Sequence, residues 1–402
     1  MSDLSRRDFL SAVGGVAMAG TVRHGPRPRV VDTLVRGGLV IDPAQGLAAE
    51  RDVAITDGRI VQVAEVVTEP ARRTIDAQGM IVTPGLVDIH VHVYPGVPTL
   101  GIDPDLVGVA RGVTTLVDAG SSGATTFPAF RDHVIRRART RVRALLNMSR
   151  VGMTASNELA RLADVDVDAV VRTIEANRDT IVGIKVRMLS GIENGDDMEV
   201  MRRTREAADR ADVPITLHIG GQTSPLPAVI DHLRPGDVIT HAFRRSGNIL
   251  DGNGRVYPEV IEAMDNGIWL DIGHGMGNLD FDVAERILDQ GVRPQTISSD
   301  VHDGNVAGPV FDLPTNMSKF MALGMSLEDV VAASTATPAE IFDFGDRVGT
   351  LAPGAAADLS IFEMMEADQD FVDSSGGHRP GDGRLVPRIT LRDGAPFGVS
   401  RG

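Results

Sequence analysis

The sequence predicts an α/β protein: a (β/α)8 barrel of the TIM type, carrying a small β-sandwich domain built from both ends of the chain. Three observations carry that expectation. Between Thr83 and about Gly345, strand-like runs alternate with helix-like runs at roughly the 30-residue spacing of a βα unit, and eight such strands can be counted. On either side of this region the alternation gives way to short β-type runs separated by turn signals. Ionisable residues gather at the C-terminal ends of the central strands, the barrel face that carries chemistry. A doubly wound open sheet shares the same periodicity, which does not by itself show closure.

The chain begins with Ser5-Arg6-Arg7-Asp8-Phe9-Leu10, a mildly apolar run to Gly20, and Ala17-Met18-Ala19 as a small-x-small cleavage site. Residues 1–24 therefore read as a twin-arginine-type signal peptide and linker, which predicts a periplasmic or exported protein, or a cytoplasmic one if the signal is not used. A disordered basic tail is the alternative. The run is too short for a spanning helix, and no other segment approaches the roughly 20 apolar residues one requires, so no membrane insertion of the mature protein is expected.

Residues 25–83 supply the β-runs Thr33-Leu34-Val35, Leu39-Val40-Ile41, Val53-Ala54-Ile55 and Ile60 to Val63, with turns at Gly37-Gly38 and Asp57-Gly58. Residues 346–402 add Leu359 to Phe362 and Leu385 to Leu391, so the two ends are expected to form one discontinuous sheet domain. The Asp-, Gly- and Ser-rich stretch from about Glu366 to Arg384 reads as a loop. Over residues 84–345, barrel strands are predicted at Leu86–Val93, Thr114–Ala119, Arg143–Met148, Val182–Met188, Ile215–Ile219, Val238–Phe243, Trp269–Gly273 and Thr296–Asp300. Amphipathic helices are predicted at Met198–Ala211, Pro258–Asn266, Asp282–Gln290 and Leu327–Ser334.

Composition narrows the partners. With 402 residues, 42% hydrophobic and 24% charged, the chain is of ordinary soluble composition and long enough for a large barrel with an appendage. A net charge of -15 without a basic stripe argues against nucleic acid or an anionic membrane surface as partner. The absence of cysteine excludes disulfides, thiolate metal sites and a cysteine nucleophile, leaving His, Asp, Glu and Lys for any metal chemistry. A small-molecule substrate is expected, and the sequence leaves room for a homo-oligomer.

In Val87-Asp88-Ile89-His90-Val91-His92-Val93, strict alternation puts Asp88, His90 and His92 on one face of a strand. Two neutral imidazoles so placed can share a cation; the same pattern also suits a polar edge face. In Val182 to Met188, alternation turns Lys185 and Arg187 inward. A buried lysine loses its proton readily, leaving an amine that can react with carbon dioxide or act as a base; snorkelling to the rim or pairing with Asp88 is the structural alternative. On three further strands, His218 shares a face with Thr216, His241 closes the run Val238-Ile239-Thr240-His241, and Asp300 alternates inward with Thr296 and Ser298. With only ten histidines in the chain, this clustering points to a shared site with enough nitrogen and oxygen for two metal ions.

Pro84-Gly85-Leu86-Val87-Asp88-Ile89-His90-Val91-His92, followed by Lys185, His218, His241 and Asp300, resembles the amidohydrolase superfamily. His92 to Gly96, Asp118 to Gly123, Gly183 to Arg187, Ser298 to His302 and Met317 to Phe320 resemble its amidohydrolase/deacetylase metallohydrolase branch, and Gly349 to Leu359 resembles the return into the small β domain. No expected metal position departs from the pattern. The resemblance implies that His90, His92 and Asp300 hold one divalent ion and that His218 and His241 hold the second. Lys185 as a carbon-dioxide-derived carbamate, together with a hydroxide, would bridge the two. Zinc is the default ion for such ligands, with manganese or iron compatible. Asp300 is expected to be the catalytic general base, and Asp88 to support the ligands from behind.

For substrate contacts, Arg187 is an inward cation suited to a carboxylate, or to a neighbouring Asp. His274 ends the seventh strand and is a second candidate, or a rim residue; Ser121 and Ser122 are loop candidates, and His302 has a supporting or catalytic reading. The resemblance thus implies a metal-dependent hydrolase of an amide or ester of a small carboxylate-bearing substrate, an N-acyl amino acid or acyloxy acid. A cyclic amidase of dihydroorotase type is the nearest alternative, and a non-catalytic binding protein on the same barrel is the alternative from another class. A mononuclear deaminase would leave Lys185 unexplained.

Overall fold

The computed structural model describes residues 30–97, 100–155, 157–189, 196–345 and 348–398; the predicted signal segment, residues 1–24, lies outside them. The first half of the small sheet comprises β1 (Val31–Asp42), β2 (Leu47–Thr56), β3 (Arg59–Ala64), β4 (Ala71–Asp76) and β5 (Ile81–Pro84). The central region contributes β6 (Leu86–Val91), β7 (Val113–Ala119), β8 (Arg141–Asn147), β9 (Ile181–Arg187), β10 (Ile215–His218), β11 (Val238–Thr240) and β12 (Trp269–Leu270). The chain returns to the first sheet through β13 (Leu359–Val372), β14 (His378–Arg392) and β15 (Ala395–Gly398).

The two ends share one hydrogen-bonded network in the order β15-β14-β13-β5-β1-β2-β3, with β4 also on β1. One half of β1 pairs with β4 and the other with β5, and the irregularity between Val35 and Gly38 lies at the handover. A Cβ on Gly38 would sit 2.5 Å from the Val82 side chain, so the approach of β5 requires glycine there. Along β2, Val53 and Ile55 join one buried apolar layer while Ala54 joins another, so both faces are covered as in a sandwich.

Strands β6 to β12 pair in parallel in sequence order, the arrangement expected of a barrel wall. The eighth position differs from the continuous strand predicted at Thr296–Asp300. Only bridges join this segment to its neighbours, Thr296 to Asp271 and Val301 to Val91, yet backbone bonds from Asp300 to the His90 carbonyl (2.7 Å) and from His92 to the Val301 carbonyl (3.1 Å) complete the ring. The ladder is interrupted because Asp300 adopts a left-handed backbone (φ 50°).

The predicted helices form at Asp197–Ala211, Pro258–Asp265, Phe281–Asp289 and Leu327–Ala332. Asp196, Asp280 and Ser326 cap three of them through side-chain oxygens. Val200, Thr204, Ala207, Ala208 and Ala211 fall at helical spacing and bury one face of the first. Among the described residues no helix is long and apolar enough to cross a membrane.

The stretch from Glu366 to Arg384 is not a loop. It forms the outer half of a hairpin in which β13 and β14 pair as far as Val372 and His378. The Asp373 carboxylate closes the turn, accepting from the amides of Ser375 and Gly377 (both 2.7 Å), and its other oxygen accepts from the Phe281 amide at 2.8 Å. Arg379 pairs with Asp282 and Glu285, both at 2.6 Å. The polar composition that suggested a loop is thus used to dock the hairpin on the barrel helices.

Candidate metal centre

The C-terminal ends of the barrel strands bring six predicted side chains together. His90 lies in β6 and His92 just beyond it, Lys185 in β9, His218 at the end of β10, His241 one residue past β11, and Asp300 in the closing segment. His92 Nε2 is 3.1 Å and His90 Nε2 3.5 Å from Asp300 Oδ1, and Lys185 Nζ is 3.0 Å from His90 Nε2. The rings of His90 and His241 are 4.8 Å apart, those of His218 and His241 4.1 Å. His241 (φ 70°) and Asp300 (φ 50°) both hold left-handed backbone, a strain of order 1 kcal/mol each that buys convergence of the side chains.

Each of three imidazoles turns Nδ1 to the protein. That of His241 lies 2.7 Å from the Gly273 carbonyl, which can only accept, so Nδ1 carries the proton and the lone pair is on Nε2. His90 Nδ1 faces the Thr240 hydroxyl at 3.1 Å, and His92 Nδ1 faces the Ser121 hydroxyl at 3.0 Å. Thr240 donates to Asp271 at 2.7 Å, and Asp271 also accepts from Thr296 and Ser298 at 2.7 Å each. Asp118 accepts from the amides of Val93 (2.9 Å) and Ser121 (2.8 Å), fixing the loop that meets His92. Asp88 is tied to the backbone of His90 (3.2 Å) and Ser299 (3.1 Å), so it joins the first strand to the closing segment. The carboxylate behind the ligand cluster is Asp271, which sequence reasoning missed although it falls within the strand predicted at Trp269–Gly273; the regular strand ends at Leu270, just before it.

Burial holds His90 and His218 well below the ordinary imidazole range and brings His241 down to about 3, so all three are neutral donors near pH 7. Burial likewise pushes Lys185 down to about 7, against the opposing pull of Asp300 and Asp271. Burial alone would raise the Asp300 carboxyl, but it is drawn below the ordinary carboxylate range, in part by the hydrogen bond from His92. Neutral imidazoles beside a carboxylate are the donor set of a zinc-type site, and ligand atoms of His90, His241 and Asp300 lie within 4.8 Å of one another. The residues therefore fit a divalent ion.

Of the predicted substrate contacts, Arg187, His274 and Ser121 are engaged by the protein itself. Arg187 forms a two-pronged pair with Glu158, both bonds 2.5 Å, and Glu158 is buried. His274 is buried between Lys319 Nζ, 2.7 Å from its Nε2, and the hairpin, where Ser374 Oγ lies 3.4 Å from its Nδ1. Ser121 is spent on His92, and the fully buried Ser122 hydroxyl has no partner among the described residues. His302 is buried, with its ring 6.4 Å from that of His92.

The sequence matches the amidohydrolase family over residues 81–236 and 277–379, more than half of the chain. The chain belongs to the amidohydrolase family. This amidohydrolase is 37% identical to a deacetylase of Agrobacterium fabrum over 325 residues, covering 80% of each protein. It superposes on a crystal structure of an adenine deaminase with a TM-score of 0.86 and 31% identity, and on one of a dihydroorotase with a TM-score of 0.83 and 32% identity. Both alignments cover 92% of this chain and 100% of the other. The protein is thus a metal-dependent hydrolase acting on carbon–nitrogen bonds, with a buried His–His–Asp cluster at the mouth of its barrel.

Proposed function

We propose that this amidohydrolase removes a small acyl group from an amide or ester whose other half carries a carboxylate, an N-acyl amino acid or an acyloxy acid. The observation that carries the proposal is the convergence of four histidines, Lys185 and Asp300 at one barrel mouth. The likeness to a deacetylase over 80% of both chains supports the acyl-transfer half of it.

In this reading His90, His92 and Asp300 would hold one divalent ion, zinc by default, and His218 and His241 would hold a second. Lys185 would supply a further ligand as a carbamate, formed when its neutral amine adds to carbon dioxide with a new nitrogen–carbon bond and release of a proton. Metal bound there would supply Lewis acidity towards the scissile carbonyl and towards the attacking water. Asp300 accepts the proton of the attacking water and returns it to the departing nitrogen or oxygen. The Gly273 carbonyl, and Thr240 by donating its own proton to Asp271, hold His241 and His90 in the tautomer that presents Nε2, and Ser121 orients the ring of His92. The same reading treats residues 84–345 as the catalytic unit, residues 25–83 with 346–402 as its sheet domain, and residues 1–24 as an export signal.

The test is turnover on a panel of N-acetyl amino acids and 2-acetoxy acids, with dihydroorotate, hydantoins and adenine alongside. Deacetylation is expected. The likeness to a dihydroorotase structure favours a cyclic amidase as the second reading, and preferential ring opening on the same panel would establish it instead. Lys185→Ala should lose at least one ion per chain and lower turnover by orders of magnitude; retained activity would give that lysine another role.

A further inference from the structure

Two guanidinium groups lie close in the chain to the histidines of the site: Arg187 ends β9, two residues after Lys185, and Arg244 follows His241 and bonds to the Ile219 carbonyl, next to His218. They differ in how they are compensated. Arg187 meets the buried Glu158 carboxylate in a two-pronged pair. Arg244, three residues past His241, has no carboxylate within ion-pairing distance among the described residues. Among the described residues its one side-chain bond runs from Nη1 to the Ile219 carbonyl at 2.8 Å, and its buried Nε has no acceptor. The neighbouring Arg245 instead pairs with Asp280 at 3.1 Å.

The backbone makes room for Arg244. Its guanidinium lies against Gly220, two residues beyond His218, where an added Cβ would come within 2.1 Å of Nη1 and 2.5 Å of Cζ. Gly220 has a φ of +111°, and a Cβ on Gly247 would meet its Cα at 2.6 Å. Two glycines therefore shape a seat that holds a half-buried cation against the turn that follows His218. Burial without a counter-charge lowers the Arg244 pKa, a cost that the folded chain itself does not offset.

We propose that Arg244, seated on Gly220, is the residue that binds the carboxylate of the substrate, through the edge formed by its free Nε–H and Nη2. A guanidinium edge presents two parallel N–H donors, the geometry a carboxylate accepts in bidentate fashion. This rests on the deacetylase reading and adds to it a specificity residue: the substrate half that leaves with the amine or alcohol is an anion, oriented from the β10 and β11 side of the barrel.

The experiment compares wild type, Arg244→Gln and Arg244→Lys on the best 2-acetoxy or N-acetyl acid of the panel and on its primary carboxamide, which has the same acyl group and no charge. For the acid, Arg244→Gln should raise KM and lower kcat/KM by roughly 10- to 100-fold, with Arg244→Lys intermediate. For the carboxamide the three proteins should agree within about threefold, which also shows that the variants are folded. Equal losses on both compounds, or no loss on the acid, would overturn the assignment. Calorimetric binding of the free amino acids and 2-hydroxy acids to the same proteins separates the two proposals. If wild type deacetylates nothing, the deacetylase reading falls, and Arg244 is then judged by whether binding of these acids disappears in Arg244→Gln or persists.

Discussion

Gly275 follows His274 at the barrel mouth with a φ of +48°, and a Cβ there would lie 2.3 Å from Asp300 Oδ2 and 2.6 Å from Asn278 Nδ2. Asn278 holds that same oxygen at 3.3 Å, so the Asp300 carboxylate is positioned on one side by Asn278 and on the other by His90 and His92. Ordinary contact begins near 3.4 Å. Gly275→Ala must therefore displace the carboxylate by about 1 Å, a shift that costs on the order of 100-fold in kcat/KM when it falls on a reacting group. The left-handed backbone adds about 1–2 kcal/mol of destabilisation, a few degrees in Tm. Gly277→Ala is the control, because nothing lies within 4 Å of the Cβ it adds. Steady-state kinetics and thermal melts on the three proteins decide the matter. If Gly275→Ala keeps kcat/KM within about threefold of wild type, Asp300 does not need the position that Gly275 leaves open.

Glu158→Gln should destabilise the fold by roughly 3 kcal/mol, since it strands the Arg187 charge in a buried pair; a urea midpoint corresponding to under about 1 kcal/mol would refute this. Lys319, beside His274, is brought down to about 7 by burial, whereas an unfolded chain holds its lysine protons to about 10.4. The unfolded state thus binds more protons between these values, and this lysine makes stability rise with pH from about 7 to about 10.4. Lys185 contributes with the same sign. Lys319→Met should flatten the rise of the urea midpoint over that window, and parallel wild-type and variant curves would contradict the burial argument.

Much of the site was legible because strands have a period of two. Alternation in Val87 to Val93 and Val182 to Met188 was enough to turn His90 and Lys185 inward, and the structure brings them to 3.0 Å. Where the chain leaves regular geometry the signal fades. Thr296 to Asp300 kept its inward residues but not its ladder, since its hydroxyls serve Asp271 and Asp300 turns left-handed. The hairpin from Glu366 to Arg384 was hidden because its polar residues are consumed by Phe281, Asp282 and Glu285, all far away in sequence. Partnerships across the barrel were equally invisible. Arg187 read as a cation in search of a carboxylate, and finding Glu158 required the loop after β8 to fold over it. The seat of Arg244 depends on Gly220 in the loop after β10, a contact that no local pattern encodes.

Metal content tests the central claim most directly. Protein expressed with zinc or manganese and bicarbonate, then freed of loosely bound ions, should retain two divalent ions per chain by elemental analysis, and Lys185→Ala no more than one. Wild-type protein that retains one ion or none would contradict a binuclear centre built on His90, His92, Lys185, His218, His241 and Asp300.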